Sequence, residues 1–334
     1  MDTASLVKRG NRALEVNPPN ADIHLGRWGS DWGWVMFCIM GASTLGLLAW
    51  SFRMRRKRRA FHYLLAAALA VSTVSWYSQA SDLGSTPITA QFLHHSARGS
   101  GVGGYPTRQI WYSRYVDWTL TTTLLLLSLL LITGLPLSII FVTLFFNVLM
   151  VVCGLLGALT RTRYKWGYFV FACAALGYVL YHVFASGLRS ARRLGKDFGR
   201  TYLYASVLLG IIWPMYAVCW GLSEGGNVIG ISAEFLFYGI LDIFSKPVFA
   251  FLLLSMLRRC DYGALRLRSG KRSEEDSDLH EPRRGLVEKD HERIGSADHH
   301  HIGGANTNAH AGLQGPANST LPHGAQHTTM SPAP

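Results

Sequence analysis

Two ionisable residues stand where a lipid-facing segment tolerates few. In FYGILDIFSKPVFAFLLL, residues 237–254, Asp242 and Lys246 lie four positions apart inside an otherwise apolar run. On a helix that spacing puts both on one face. A second apolar run, RQIWYSRYVDWTLTTTLLLLSLLL, carries Arg114 and Asp117 three apart and Thr121 four further on, again on one face, with Thr121 in reach of the Asp117 carboxylate. A charge at the centre of a spanning helix costs about 2.5–3.5 kcal/mol on insertion scales, so each needs a partner or a task. One lysine, two aspartates and one arginine make a neutral quartet, which suits a permanently charged nitrogen held in a low-dielectric pocket. The same residues serve equally as a structural ion pair, and spacing leaves both uses open. Pro247 removes the amide hydrogen bond to the carbonyl of Ile243 and favours a bend beside the lysine.

The elements that must position these groups are membrane helices. The chain of 334 residues is 49% hydrophobic, and its apolar runs reach the roughly 20 residues that a bilayer requires. Seven spans are expected, near 31–54, 61–81, 109–132, 135–159, 166–187, 201–222 and 231–257, forming an all-α seven-transmembrane helix bundle over 31–258. Residues 1–30 are polar, contain Pro18 and Pro19 and lack an apolar core, so no cleavable signal peptide is expected and the first span acts as its own signal. Basic stretches FRMRRKRRAF, RSARRLGKDFGR and RRCDYGALRLRSGKR fall on one side, and TRTRYK is the smaller basic cluster on the other. Cytoplasmic loops are enriched in Lys and Arg, which places the N-terminus outside and the C-terminus in the cytoplasm. The net charge of +12 is then a topology signal with some attraction to anionic lipid, and it does not call for nucleic acid.

Residues 259–334 form a cytoplasmic tail, and from 273 onward it is polar, aperiodic and of disordered composition. Its DHHHIGG stretch, residues 298–304, is expected to hold no specific metal, and Asn318-Ser319-Thr320 matches a glycosylation sequon on the wrong side of the membrane. The five cysteines fit neither a disulfide framework nor a zinc pattern. Cys38, Cys153, Cys173 and Cys219 fall in spans, while Cys260 is placed where S-palmitoylation is chemically open.

Taken together, RYVDWTLTT, GLLGALTR, YKWGYFVFACAAL, WGLSEGGN and LDIFSKP resemble the microbial (type 1) rhodopsins, closest to the fungal opsins and similar to bacteriorhodopsin, over about residues 30–258. The resemblance implies all-trans retinal as cofactor, joined to Lys246 as a Schiff base. It implies Asp117 as counterion and proton acceptor, Asp242 as second counterion, Arg114 as the gate of the outward path, and Glu224 and Glu234 as a proton-release pair. Trp118, Trp213, Tyr216 and Trp220 are implied as the rings around the polyene, with Tyr115, Thr122 and Met150 in the same pocket and Leu125 at a colour-tuning position. No metal is implied.

Where pumps of this family carry a carboxylic acid, eleven residues beyond the acceptor and about 16 Å along the helix, this chain has Ser128. A serine hydroxyl is no proton donor near neutrality, so reprotonation should await water and bulk protons, giving a slow cycle. Thr123 and Ala217 stand at usual proline positions, Pro214 is shifted three residues earlier, and Asn147 replaces a buried aspartate expected opposite Thr122. Three functions follow: a light-driven outward proton pump moving protons across membrane lipid, which the acceptor and release carboxylates favour; a photosensor with a long-lived intermediate; and a retinal-free opsin-related protein, against which Lys246 argues. None is a classical enzyme. A homo-oligomer and a cytoplasmic signalling partner remain open. The plasma membrane is the expected location, with an internal membrane the alternative.

Overall fold

The computed structural model describes residues 10–54, 59–92 and 99–265. Residues 55–58 of the first basic loop, the histidine-rich stretch, the sequon and the remainder of the tail lie outside them. The described chain is a bundle of seven long helices: α1 Arg27–Phe52, α2 Ala60–Ala80, α3 Tyr112–Leu131, α4 Leu137–Leu159, α5 Lys165–Leu194, α6 Lys196–Gly225 and α7 Ile231–Leu257. Six are long and apolar enough to cross a membrane by length and composition. The other, α3, has 20 residues, about 30 Å of helix. Its apolar character is diluted by Arg114, Asp117, four threonines and Ser128, of which Arg114, Asp117, Thr121 and Ser128 share one buried face. Consecutive helices pack as neighbours from α1 to α7, and α7 returns against α1, closing the ring.

Small residues allow the closure, as is usual where helices meet in lipid. A methyl group at Gly239 of α7 would lie 2.3 Å from Nε1 of Trp32 on α1, and that indole N–H donates to the Phe235 carbonyl at 3.1 Å. At the α3–α4 seam Asn147 donates to the hydroxyls of Thr122 at 2.8 Å and Thr123 at 3.2 Å. The contact expected of the missing aspartate is therefore made by an amide.

Three features depart from the sequence expectation. The 82–108 loop holds a β-hairpin, with β1 Thr86–Thr89 antiparallel to β2 Thr107–Ile110. The N-terminal segment adds a parallel bridge, Ile23 to Arg108, and Asp22 clamps it by accepting from the amides and hydroxyls of Thr107 and Ser100. Those donors, led by the Thr107 amide, hold the Asp22 carboxyl well below the usual carboxylate range. Second, α5, α6 and α7 each contain a π-helical turn, at His182–Gly187, Gly221–Gly225 and Phe244–Val248. The last contains Lys246 and Pro247, so the missing amide is accommodated by a widened turn. Third, Cys260 is buried with its Sγ 3.6 Å from Thr201 Oγ1, which withdraws it from acylation in the folded chain.

Gly239→Ala should overpack the α1–α7 seam by about 1–3 kcal/mol and lower the thermal unfolding midpoint of the purified protein by several degrees. An unchanged midpoint would contradict the tight closure described above.

Candidate functional site

The buried lysine is the centre of the site. The side chain of Lys246 is 1% exposed, and its Nζ lies 2.6 Å from Asp117 Oδ2 on α3 and 2.9 Å from Asp242 Oδ2 on its own helix. Both aspartates are buried and both take neutral donors as well. Asp117 Oδ1 accepts from the hydroxyl of Ser72 at 2.7 Å. Asp242 accepts from Trp76 Nε1 at 2.9 Å and from the Tyr216 hydroxyl at 2.6 Å. Such bonds offset part of the cost of burying three charges.

Two details correct the expectation from spacing. Thr121 does not bond the Asp117 carboxylate; its Oγ1 donates to the Asp117 backbone carbonyl at 2.9 Å. Helical side chains lean toward the helix N-terminus, so the carboxylate points away from the threonine that follows it, and a helical threonine turns to the carbonyl one turn back. For the same reason Arg114, one turn before Asp117, reaches away from both aspartates, and the quartet separates into two clusters.

The second cluster lies at the hairpin end of the bundle. Arg114 Nη1 is 2.5 Å from Glu234 Oε1 and 3.5 Å from Glu224 Oε1, and its Nε donates to Gln79 at 3.2 Å. Glu234, at the start of α7, is 1% exposed rather than a solvated helix-start residue. Its other oxygen receives Arg108 Nη2 of β2 at 2.6 Å. Glu224 accepts from Tyr115 at 3.1 Å, from Tyr238 at 3.0 Å and from the adjacent Ser223. Lys165 Nζ donates to the Glu224 backbone carbonyl at 2.9 Å. Arg108 is seated by Asn227, whose carboxamide oxygen accepts at 2.5 Å. Asn227 has a φ of 52°, a left-handed conformation that asparagine adopts more readily than most residues. All five charged groups of this cluster are buried.

A largely apolar cavity lies between α3, α4, α5 and α6, concave and ring-lined as small-molecule pockets usually are. Tyr115, Trp118, Thr122, Met150, Trp213, Tyr216 and Trp220 line it. Leu125 is not among its lining residues; it is buried in the core cluster that includes Trp213. Tyr216 joins cavity and lysine, because its ring lines the one and its hydroxyl bonds the carboxylate that holds the other. On the other side of Lys246 along α3, Ser128 is fully buried and its hydroxyl donates to the Leu125 carbonyl at 2.7 Å.

Ser72, Trp76, Arg108 and Lys165 were not legible as site residues. Ser72, Ser75, Trp76 and Gln79 form a polar stripe at helical spacing on α2, the one signal that pointed to them. Arg108 and Lys165 resembled ordinary loop cations.

The model of the family described as bacteriorhodopsin-like protein matches residues 29–260. The chain is 44% identical over 262 residues to protein FDD123 of Trametes versicolor, covering 78% of this chain and 89% of that one. It is 41% identical over 268 residues to the opsin-like protein carO of Fusarium fujikuroi, covering 79% and 86%. Among solved structures, that of the light-driven proton pump rhodopsin CsR from Coccomyxa subellipsoidea superposes with a TM-score of 0.65 at 31% identity, covering 70% of this chain and 98% of that one. The chain belongs to the bacteriorhodopsin-like family of multi-pass membrane proteins, with fungal opsins among its relatives.

Proposed function

We propose that this protein binds all-trans retinal through Lys246 and acts as a light-driven outward proton pump with slow reprotonation. The observation that carries the proposal is the seat of Lys246, buried between Asp117 and Asp242 beside an aromatic-walled cavity. The cavity suits an elongated apolar chain, since Trp118, Trp213, Tyr216 and Trp220 offer flat rings. Joined to Lys246, retinal would supply light absorption and an isomerisation that loosens the hold of the lysine nitrogen on its proton.

The protein's own groups then set the path. Asp117 Oδ2 is the nearer oxygen to Lys246 Nζ, at 2.6 Å, and is the acceptor. Asp242 already receives three donors, from Trp76, Tyr216 and Lys246, so a proton arriving there would displace more hydrogen bonds. Arg114 connects the lysine site's helix to Glu224 and Glu234, which pass the proton on. Basic loops at the far end of the bundle support a cytoplasmic location for that end, and with it an external glutamate end and outward transport. Reloading from the cytoplasmic side meets Ser128, whose proton is engaged with a backbone carbonyl. The same serine favours one alternative, a photosensor whose deprotonated state persists long enough to signal. Burial of Lys246 between two carboxylates speaks against a retinal-free role.

Adding all-trans retinal to expressing cells should produce a visible absorption band that Lys246→Ala abolishes; no band, or one unchanged in the variant, would sink the retinal assignment. Illuminated unbuffered cells should acidify the medium, and a protonophore or Asp117→Asn should remove the signal. A flat trace with a long-lived photointermediate would support the sensor instead.

Ser128→Asp should speed decay of the deprotonated intermediate by about 10²-fold, within the range of a positioned general acid, and a small diffusible acid should accelerate the unmodified protein. Decay unmoved by either would show that proton uptake follows another route.

A further inference from the structure

We propose that Ser72 of α2 is a positioning residue for the proton acceptor: its hydroxyl bond to Asp117 sets how readily that carboxylate takes a proton. The inference rests on the assignment of Asp117 as acceptor beside retinal. Ser72 is fully buried and donates to Asp117 Oδ1 at 2.7 Å, while Lys246 occupies Oδ2 at 2.6 Å. The two oxygens are therefore divided between one neutral and one charged donor. Four residues on, one turn along the same face, Trp76 donates to Asp242. Helix α2 thus supplies one uncharged donor to each of the two carboxylates.

The charged and titratable groups around Asp117 are Lys246 and Asp242 from α7, Tyr216 from α6 through Asp242, and Arg114 on its own helix, turned toward the glutamates. Ser72 differs from all of them in bringing a hydrogen bond without a charge. A hydroxyl that donates to a carboxylate favours the ionised form over the protonated one. It therefore keeps Asp117 a counter-charge in the dark and opposes premature protonation. Once Asp117 takes the proton on Oδ2, where Lys246 lies, Oδ1 is the carbonyl oxygen of a neutral acid and accepts the Ser72 hydroxyl more weakly, so transfer gives up the charge-assisted part of one defined bond.

The test is the pH at which acid shifts the visible band of the full-length, retinal-loaded protein in the dark, with Asp117→Asn as the variant that removes the transition. Ser72→Ala should raise the midpoint by about one pH unit, a tenfold gain in proton affinity, the effect of losing one donor to a charged group. Ser72→Thr, which keeps the hydroxyl, should titrate as the unmodified protein does. Should Ser72→Ala yield no pigment, Ser72→Cys, a weak donor of similar size, should shift the midpoint the same way by less. A band that titrates through Asp117 but ignores the loss of the Ser72 hydroxyl, or that shifts alike in the Ala and Thr variants, overturns this inference alone. Failure of the unmodified protein to form a band overturns the retinal assignment and this inference with it.

Discussion

Everything in the site follows from one ammonium group held out of water. Lys246 shares its charge between Asp117 and Asp242, and three buried charges in a low-dielectric interior are stable only where further donors complete the carboxylates. Those donors come from three helices: Ser72 and Trp76 on α2, Tyr216 on α6, and the lysine itself on α7. The ring closure at Gly239, the Asn147 contact between α3 and α4, and the widened turn around Pro247 are what bring these helices to the required separations.

The lysine cluster and the glutamate cluster are complementary. With every group ionised, the first has one cation against two carboxylates, and the second has Arg108, Arg114 and Lys165 against Glu224 and Glu234. Neither balances alone, but together they do. Arg114 therefore compensates the aspartates at a distance rather than by contact, and its side chain marks the boundary between the two. The β-hairpin has a matching role: by carrying Arg108 and being clamped to Asp22, it brings a second guanidinium onto Glu234.

The fold and the heart of the site were largely legible in the sequence, because bilayer thickness fixes span length and the i, i+4 rule fixes the face shared by Asp242 and Lys246. What escaped was set by tertiary packing or by side-chain direction. Ser72 and Trp76 act on carboxylates of other helices, and the polar stripe they share with Ser75 and Gln79 marks a face of α2 without showing which groups that face meets. Arg114 and Thr121 share a face with Asp117, but the lean of helical side chains decides which neighbour each one reaches. Arg108 acquires its role through the hairpin, whose pairing is non-local, and Lys165 through burial against the Glu224 carbonyl. The π-helical turns at His182–Gly187 and Gly221–Gly225 have no proline to announce them.

Ser128 gives the molecule its asymmetry: a carboxylate-rich path on one side of Lys246 and an apolar stretch with a single engaged hydroxyl on the other. The central claim is that light moves the Lys246 proton to Asp117. Time-resolved light-minus-dark infrared spectroscopy of the retinal-loaded protein tests it most directly. A protonated-carboxyl C=O band should rise together with the deprotonated intermediate and disappear in Asp117→Asn. A band that is absent, or that survives in Asp117→Asn and is lost in Asp242→Asn, would contradict the account.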